Sequence, residues 1–423
     1  MATSQGNDEP RRPPARSGVA GARRFDVLVV GAGVIGLACA WRAAQRGLRV
    51  RVLERDQPGA GASGVAAGML APVGEATWGE EELLALALRA HEAWPGFATE
   101  LATAAGREVG YIDRGAVHVA LDRDEAAELR RRFELMRELG LDAEWLRPRE
   151  ARRLEPGLSP TMTAAIHAPH EAASDPRALV AALWRACEEA GVEVLAGAQV
   201  VDLVTEGGSV VGVRDAGGDR HSAPRVVVAT GAWSGTDASR LGDQGPYTTQ
   251  ISQTVGWLPA EARPPVRPVK GQILTLRGSA DEPLCARIVV TERIYAVPRA
   301  DGRLVVGATV EEQGFDSTVT AGGVYELLRE AYRALPEVAE LELVETIAGL
   351  RPGTPDNRPL IGPGAIDGLV LATGHYRNGI LLAPVTADAV AGLLADEGMP
   401  EELRAFSPAR FAAPPAEVEA VAP

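Results

Sequence analysis

The chain has 423 residues, of which 46% are hydrophobic, and its formal net charge is −14. Its length fits about two or three domains, and its acidic balance argues against a nucleic-acid surface, which needs clustered lysine and arginine. The three cysteines, Cys39, Cys187 and Cys285, lie far apart, so they form no CxxC redox pair and no zinc site. We expect a cytoplasmic protein without a metal and without a membrane span.

The first folded unit begins after residues 1–24, a segment rich in Pro, Gly and Arg that we interpret as a disordered tail. Phe25–Val30 (FDVLVV) predicts a buried parallel strand, and GAGVIG follows at 31–36. A helix that stops at Gly47 comes next, and LRVRVLE predicts a second strand that ends on Glu54. This order is the full βαβ context of a dinucleotide site.

Each part of this motif has a physical reason. Gly31 permits the tight turn, Gly33 lets a pyrophosphate approach the backbone, and Gly36 lets the helix pack closely on the strand. The helix N-terminus offers unpaired N–H groups and a positive dipole to the phosphates. Glu54 can accept hydrogen bonds from both ribose hydroxyls, while Arg55 beside it could be a solvated surface charge.

Three features favour FAD over NAD. The chain carries one such fingerprint, so no separate nicotinamide domain is evident. Val226–Ser234 (VVVATGAWS) predicts a strand that ends at Thr230 and Gly231, in a turn of the kind that closes over FAD. The small residues of Ala62–Pro72 (ASGVAAGMLAP) let the backbone pass close to a flat ring, and Ser63 can hydrogen-bond a phosphate or a ring atom.

Helices and strands alternate along the rest of the chain. The predicted helices are Leu83–Leu101, Asp124–Leu139, Pro176–Gly191, Thr320–Leu335 and Ala383–Leu394. The predicted strands are Val192–Leu195, Val200–Thr205, Val210–Arg214, Gly271–Leu276, Arg287–Val290, Ile294–Pro298, Leu304–Val306, Leu343–Ala348 and Leu369–Ala372. Gly110–Ala120 predicts a hairpin, and Leu241–Pro268 predicts an irregular surface excursion.

The fold class that follows is α/β. The period of two in the strands between 271 and 306 predicts an antiparallel sheet with one buried face. We expect a Rossmann-like FAD-binding domain (25–105, 160–245 and 345–410) interleaved with a substrate domain built on that antiparallel sheet (106–159 and 246–344). A ligand would lie where the two sheets face each other.

In this order, the segments resemble the glycine oxidases, the thiamine-pathway members of the D-amino-acid oxidase superfamily, over about 25–406. The motifs that carry the resemblance are GAGVIG, Glu54, ASGVAAGMLAP, VVVATGAW, RPVKGQIL, YAVPR, GRLVVGAT, GLRPGTPD and GHYRNGILLAP. The related sarcosine oxidases attach their flavin through a C-terminal cysteine. No cysteine follows Cys285, so we expect non-covalent FAD.

The resemblance also implies roles for individual residues. Arg351 of GLRPGTPD would bind the substrate carboxylate, Arg377 of GHYRNG would lie at the substrate, and Tyr295 would add a hydroxyl. The residues that match cofactor positions, besides the fingerprint glycines Gly31, Gly33 and Gly36, are Val34, Ile35, Glu54, Arg55, Ala62, Ser63, Ala67, Gly68, Met69, Val200, Thr230, Gly231, His375, Tyr376, Arg377, Asn378, Gly379, Ile380 and Leu381.

The residues alone leave other interpretations open. Arg351 could instead pair with Asp356, Arg377 could face solvent, and Tyr295 could fill a gap in the core.

A helix from Ile380 onward could present N–H groups to the flavin ring.

The resemblance implies oxidative deamination of glycine, and of sarcosine and small D-amino acids, with reduction of O2 to H2O2. No catalytic base is evident, and the protein would mainly orient the substrate. A tetramer and transfer of the imine to thiazole synthase are also implied. Two alternatives stay open: a sarcosine or D-amino-acid oxidase or dehydrogenase of the same fold, and a flavin-binding tRNA-modification or sensor module, which the acidic charge disfavours.

Overall fold

The structure is a computed structural model that describes residues 25–235 and 256–411. The tail at 1–24 and the part of the predicted surface excursion at 241–255 lie outside these residues. Among the residues described, no helix is long and apolar enough to cross a membrane. The α-helices of the described residues are α1 (Val34–Gln45), α2 (Ala62–Val65), α3 (Glu81–Ala105), α4 (Arg123–Glu138), α5 (Pro148–Leu154), α6 (Pro176–Glu189), α7 (Ala321–Ala334) and α8 (Ala383–Leu394).

The strands of the same residues form four sheets. In chain order they are β1 (Val27–Val30), β2 (Val50–Glu54), β3 (Met69–Leu70), β4 (Ile112–Asp113), β5 (Ala116–Ala120), β6 (Glu144–Leu146), β7 (Ala164–Ala168), β8 (Ala172–Ala173), β9 (Glu193–Ala196), β10 (Val200–Glu206), β11 (Ser209–Asp215), β12 (Arg220–Ser222), β13 (Arg225–Val228), β14 (Arg267–Arg277), β15 (Ile288–Val290), β16 (Tyr295–Pro298), β17 (Arg303–Gly307), β18 (Glu342–Gly353), β19 (Leu360–Pro363) and β20 (Leu369–Thr373).

The six-stranded sheet has the order β19-β20-β13-β1-β2-β9 and is parallel except for the edge strand β19. All four residues of β1 are buried, because the sheet is covered on both faces. Val27 and Val29 pack in a core with α1, α3, α6 and α8. Leu28 and Val30 pack in a second core, which includes residues of β10 and β11.

The eight-stranded sheet has the order β18-β14-β17-β16-β15-β5-β7-β6. The antiparallel pairing predicted for the strands between 271 and 306 is confirmed, and the one parallel pair among these eight strands joins β15 to β5. Leu327 and Ala331 of α7 pack against Leu274 and Leu276 of β14. β7 belongs to this sheet although it falls within the range expected for the FAD-binding domain, and the domain boundaries stay a proposal.

The predicted hairpin at Gly110–Ala120 is wrong. β4 pairs with β8 in a three-stranded sheet, whereas β5 pairs with β15 and β7 in the eight-stranded sheet. All five residues of β5 are buried, which requires neighbours on both edges and cover on both faces. The local pattern predicts strands here but does not specify their partners. Leu360–Pro363, which was not predicted as a strand, forms the antiparallel edge.

The three cysteines are all free and buried. Cys39 lies in α1 and Cys187 in α6, where its thiol lies 3.4 Å from the Leu37 carbonyl oxygen. Burial raises the pKa of the Cys39, Cys187 and Cys285 thiols well above the ordinary value.

Asp175 connects the start of α6 to the eight-stranded sheet. Its carboxylate accepts the N–H groups of Arg177 and Ala178 at the start of α6 and pairs with Arg303 at 2.7 Å. The buried Arg299 lies 3.9 Å away and donates to the Ala67 carbonyl at 2.5 Å. Burial acts to raise the pKa of Asp175, but the two arginines outweigh burial and hold this pKa below its ordinary range.

Asp175→Asn should lower the free energy of unfolding by roughly 3 kcal/mol at neutral pH, because it leaves the buried Arg299 without its anion. A depressed folded-state pKa means that the stabilisation is complete above the ordinary carboxyl pKa of about 3.9 and is lost as the pH falls through the folded value. The deficit of the variant should therefore shrink in acid. Urea unfolding at neutral and acid pH measures it.

The matched control is Asp301→Asn, which removes the exposed partner of Arg303. We expect this change to cost less than about 1 kcal/mol. Equal deficits for the two variants at neutral pH would contradict the central role of Asp175.

Candidate functional site

The turn between β1 and α1 is built by close backbone contacts. Gly31 has a φ of +106°, and a Cβ there would lie 2.5 Å from the Ala229 carbonyl oxygen. A Cβ on Gly36 would overlap the Gly31 carbonyl oxygen. The third glycine therefore lets α1 pack on the turn, as its spacing predicts.

Side chains from later segments hold this turn. Glu54 accepts the Ala32 N–H at 2.7 Å and the Asp56 N–H at 2.9 Å. The Ser63 hydroxyl oxygen accepts the Val34 N–H at 3.0 Å. The next N–H of α1, that of Ile35, donates to no group of the described residues, so the helix N-terminus keeps a free donor for an anion.

One continuous cavity runs from this turn to the eight-stranded sheet. Most of the residues that sequence analysis assigned to the cofactor or substrate line it. They are Gly31, Gly33, Val34, Ile35, Glu54, Arg55, Ala62, Ser63, Ala67, Gly68, Met69, Val200, Thr230, Gly231, Tyr295, Arg351, His375, Tyr376, Arg377, Gly379 and Ile380. Their grouping in one cavity supports the predicted roles, which remain predictions.

Three predicted cofactor residues lie outside the lining. Gly36 packs against the turn, and Leu381 lies in the core, where its carbonyl accepts the Trp94 indole N–H at 2.8 Å. The Asn378 carbonyl accepts the Leu382 N–H and thereby closes the turn before α8. That helix begins at Ala383, so the segment from Ile380 is a turn and not the helix that was predicted. The N–H groups of Gly379 and Ile380 have no acceptor among the described residues.

Arg351 lies on β18, where the cavity reaches the eight-stranded sheet. We call this end, which is lined by Tyr295 and Arg351, the substrate end. Its side chain crosses the face of Gly271 on β14, where a Cβ would overlap the guanidinium group. Nη1 donates to the carbonyls of Thr309 at 3.1 Å and Lys270 at 3.3 Å. Asp356 pairs with Arg410 at 2.9 Å, which removes the alternative of a bridge from Asp356 to Arg351. The guanidinium also makes a hydrogen bond with the Tyr295 hydroxyl, and its remaining donors are available to a ligand.

Tyr295 lies next to Arg351. Its ring packs on Gly307, to which it is paired in the β16–β17 ladder, and a Cβ on that glycine would overlap the ring. Burial raises the pKa of the Tyr295 hydroxyl, although the charge and a hydrogen bond of Arg351 act in the opposite direction. The hydroxyl is therefore protonated at neutral pH and can donate a hydrogen bond to an anion.

The turn before α8 supplies the other polar groups. His375 is 2% exposed, its Nε2 lies 3.0 Å from the Thr386 hydroxyl, and burial lowers its pKa to about 3, so the ring is neutral. The Arg377 guanidinium is exposed, lies 5.3 Å from the centre of the Tyr376 ring and forms no ion pair within residues 25–235 and 256–411.

The lining also includes residues that were not predicted for the site, among them Trp233, Trp257 and Glu75. Trp233 contacts Arg55, whose guanidinium lies 4.6 Å from the ring, and Trp257 lies further along the wall. Glu75 follows the ASGVAAGMLAP segment and lies at the substrate end. The GEATW stretch after that segment was the signal available, because it places a carboxylate beside small apolar residues.

The chain belongs to the FAD dependent oxidoreductase family, whose characteristic pattern matches residues 26–393. The site fits an FAD: the glycine turn has no room for side chains, the start of α1 has a free donor, and Glu54 lies at the end of β2. The residues that would hold FAD are therefore those of this turn, Glu54, Ser63 and the segment before α8.

Among known proteins, a glycine oxidase of Geobacillus kaustophilus is 34% identical over 91% of this chain and 96% of its own length. Its crystal structure superimposes with a TM-score of 0.81 over 92% of this chain and 100% of that one. A bifunctional protein ThiO/ThiG of Trichormus variabilis is 36% identical over 91% of this chain, which spans 55% of that longer protein.

Gly271→Ala should weaken the binding of a small carboxylate such as acetate at least about tenfold. The added methyl group displaces the Arg351 guanidinium, and loss of one charge-assisted hydrogen bond costs about 1.5–3 kcal/mol. Because the group that moves is the end of a flexible side chain, folding should be retained. Titration of the flavin absorbance with acetate measures the change.

Gly322→Ala is the matched control, because a Cβ at this helical glycine has open space around it. It should leave the acetate affinity unchanged. If Gly271→Ala bound acetate as tightly as this control, the position of Arg351 over Gly271 would not matter for anion binding.

Proposed function

We propose that the protein oxidatively deaminates glycine, and also sarcosine and small D-amino acids. Glycine, water and O2 would give glyoxylate, ammonia and H2O2. The observation that carries this proposal is the convergence of Arg351 and Tyr295 on the cavity that begins at the glycine turn. Membership of the FAD dependent oxidoreductase family and the similarity to glycine oxidases support it.

The substrate carboxylate would bind Arg351. A planar guanidinium offers two parallel donors to a carboxylate, and Tyr295 adds a third donor from its hydroxyl. Both side chains pack on glycines of neighbouring strands, so their positions are set by the sheet and not by a loop. This anchoring would orient the α-carbon of a small amino acid, which is the main contribution that a protein makes to such a reaction.

Bound FAD would supply the two-electron acceptor for the hydride that leaves the α-carbon. The free N–H groups of Gly379 and Ile380 would stabilise negative charge at the end of the cavity near α8. His375 stays neutral and buried, so it does not add a positive charge there.

The first experiment is an absorbance spectrum of the purified protein before and after addition of glycine without oxygen. Yellow absorbance that bleaches with glycine is the expected outcome, because the acceptor is reduced by the substrate. Bleaching with sarcosine or D-alanine but not with glycine would support the proposed reaction and show that glycine is not the substrate. Absorbance that persists with every small amine would contradict the proposal and favour a sensor or tRNA-modification module, which tRNA filter binding would then test.

The acceptor is tested separately. We propose an oxidase, so one H2O2 should appear for each imine formed when oxygen is present. Reduced protein that stays colourless in air would instead indicate a dehydrogenase of the same fold.

Arg351→Ala should raise the KM for glycine about a hundredfold, because hydrogen bonds to a charged group are worth about 1.5–3 kcal/mol each. FAD should remain bound, since Arg351 lies at the opposite end of the cavity from the glycine turn. Steady-state kinetics and the flavin spectrum measure the two quantities. Arg107→Ala, which removes an exposed arginine, is the control. A KM unchanged from that of this control would contradict the assignment.

The cellular setting is also a proposal. The relative named ThiO/ThiG joins a segment similar to this chain to a further segment, which supports a link between this reaction and thiazole synthesis. We propose a cytoplasmic, homo-oligomeric enzyme with non-covalent FAD. The three free cysteines agree with a reducing compartment.

A further inference from the structure

Glu75 lies in the cavity wall with Arg351, Arg377 and Tyr295. Its carboxylate forms no hydrogen bond and no ion pair shorter than 4 Å in the part of the chain that the structure describes. The other acidic residues of the lining are Glu54 and Asp56, which lie at the glycine turn. Glu75 is therefore the one acidic side chain of the described lining at the substrate end.

The position of Glu75 is set by the residue before it. The Gly74 N–H donates to the carboxylate of Glu171, and the Gly74 carbonyl accepts a hydrogen bond from Arg132. Glu171 is 1% exposed and lies 3.3 Å from Nε2 of the buried His118. A Cβ on Gly74 would overlap the His118 ring, so this residue must be glycine for the segment to approach so closely.

The electrostatics of Glu75 reflect these neighbours. Burial raises the pKa of its carboxyl, and the charge of Glu171 acts in the same direction. Arg377, Arg132 and Arg351 act in the opposite direction, without cancelling the effect of burial. The charge of Glu75 in turn raises the pKa of the Tyr295 hydroxyl. Glu75 thus interacts with both of the groups that would hold the substrate carboxylate.

An amino acid enters such a cavity as a zwitterion, with one anionic and one cationic end. Two arginines disfavour a cation in a cavity of low dielectric constant. Yet the ammonium must lose a proton before a hydride can leave the α-carbon, because the nitrogen lone pair assists that loss. With the carboxylate on Arg351, the site needs an anionic group that can both bind the ammonium and accept its proton.

We propose that Glu75 is that group. Its carboxylate accepts a hydrogen bond from the substrate ammonium and takes one proton from it; one N–H bond breaks, one O–H bond forms on Glu75, and the neutral amine remains. No electrons are exchanged in this step, and the proton passes to water after the product leaves. The inference rests on the proposed oxidation of amino acids.

The test compares Glu75→Gln with the wild-type holoenzyme over a range of pH. In Glu75→Gln, kcat/KM for glycine should be about a hundredfold below the wild-type value at neutral pH. It should approach the wild-type value as the pH rises, because glycine is then already present in solution as the free amine and needs no proton acceptor. Glu75→Asp keeps a carboxylate and should keep the shape of the wild-type profile. Glu92→Gln, which neutralises an exposed carboxylate on α3, should behave as the wild type.

A second readout needs no turnover. Acetate carries the anionic end of the substrate without the ammonium, so the ionised carboxylate of Glu75 repels it. The dissociation constant of acetate should therefore rise with pH in the wild type and stay flat in Glu75→Gln, as followed by the flavin spectrum.

Two results would overturn the inference. One is a pH profile of kcat/KM for Glu75→Gln that runs parallel to the wild-type profile, at the same level or below it. A purely structural role would lower kcat/KM equally at every pH. The other is an acetate affinity with the same pH dependence in both proteins. If the proposed function itself is wrong, the result is different: the wild-type flavin then does not bleach with an amino acid at any pH.

Discussion

The antiparallel ladder between β14 and β18 is the constraint on which the rest of the site depends. Its register pairs Arg351 with Val269, from where the guanidinium reaches the open face of Gly271. Just beyond Arg351, the Pro352 carbonyl accepts the Tyr376 N–H at 2.9 Å, which joins this sheet to the turn before α8. A slip of one residue would turn the guanidinium to the other face of the sheet and move that turn as well. One pairing thus sets the position of Arg351 relative to the turn before α8.

How much of this molecule can be predicted from its sequence depends on how local each contact is. The β1–α1–β2 unit spans about thirty residues, and Gly36 packs on the Gly31 carbonyl within it, so the spacing of the motif predicts this unit. The strands between 271 and 306 could also be predicted, because a period of two in hydrophobic residues is a local pattern. Arg351 was singled out by its motif, but only the structure adds that Thr309 and Lys270 hold it.

What could not be predicted depends on contacts between distant parts of the chain. The partners of β5 lie at 164–168 and at 288–290, and no local pattern specifies them. Glu75 gains its environment from Glu171 and Arg132, which are separated from it by dozens of residues. Asp356 is paired by Arg410, near the end of the described chain. In each case the type of residue can be read from the sequence, whereas its neighbours in space cannot.

The buried cysteines have a consequence for the lifetime of the protein under the H2O2 production that we propose. The thiolate is the form of cysteine that peroxide oxidises, and the raised pKa of Cys39, Cys187 and Cys285 leaves almost none of it at neutral pH. Burial also keeps peroxide away from the sulfur atoms. The same close packing that stabilises α1 and α6 therefore protects their thiols from oxidation by peroxide that the protein itself would form.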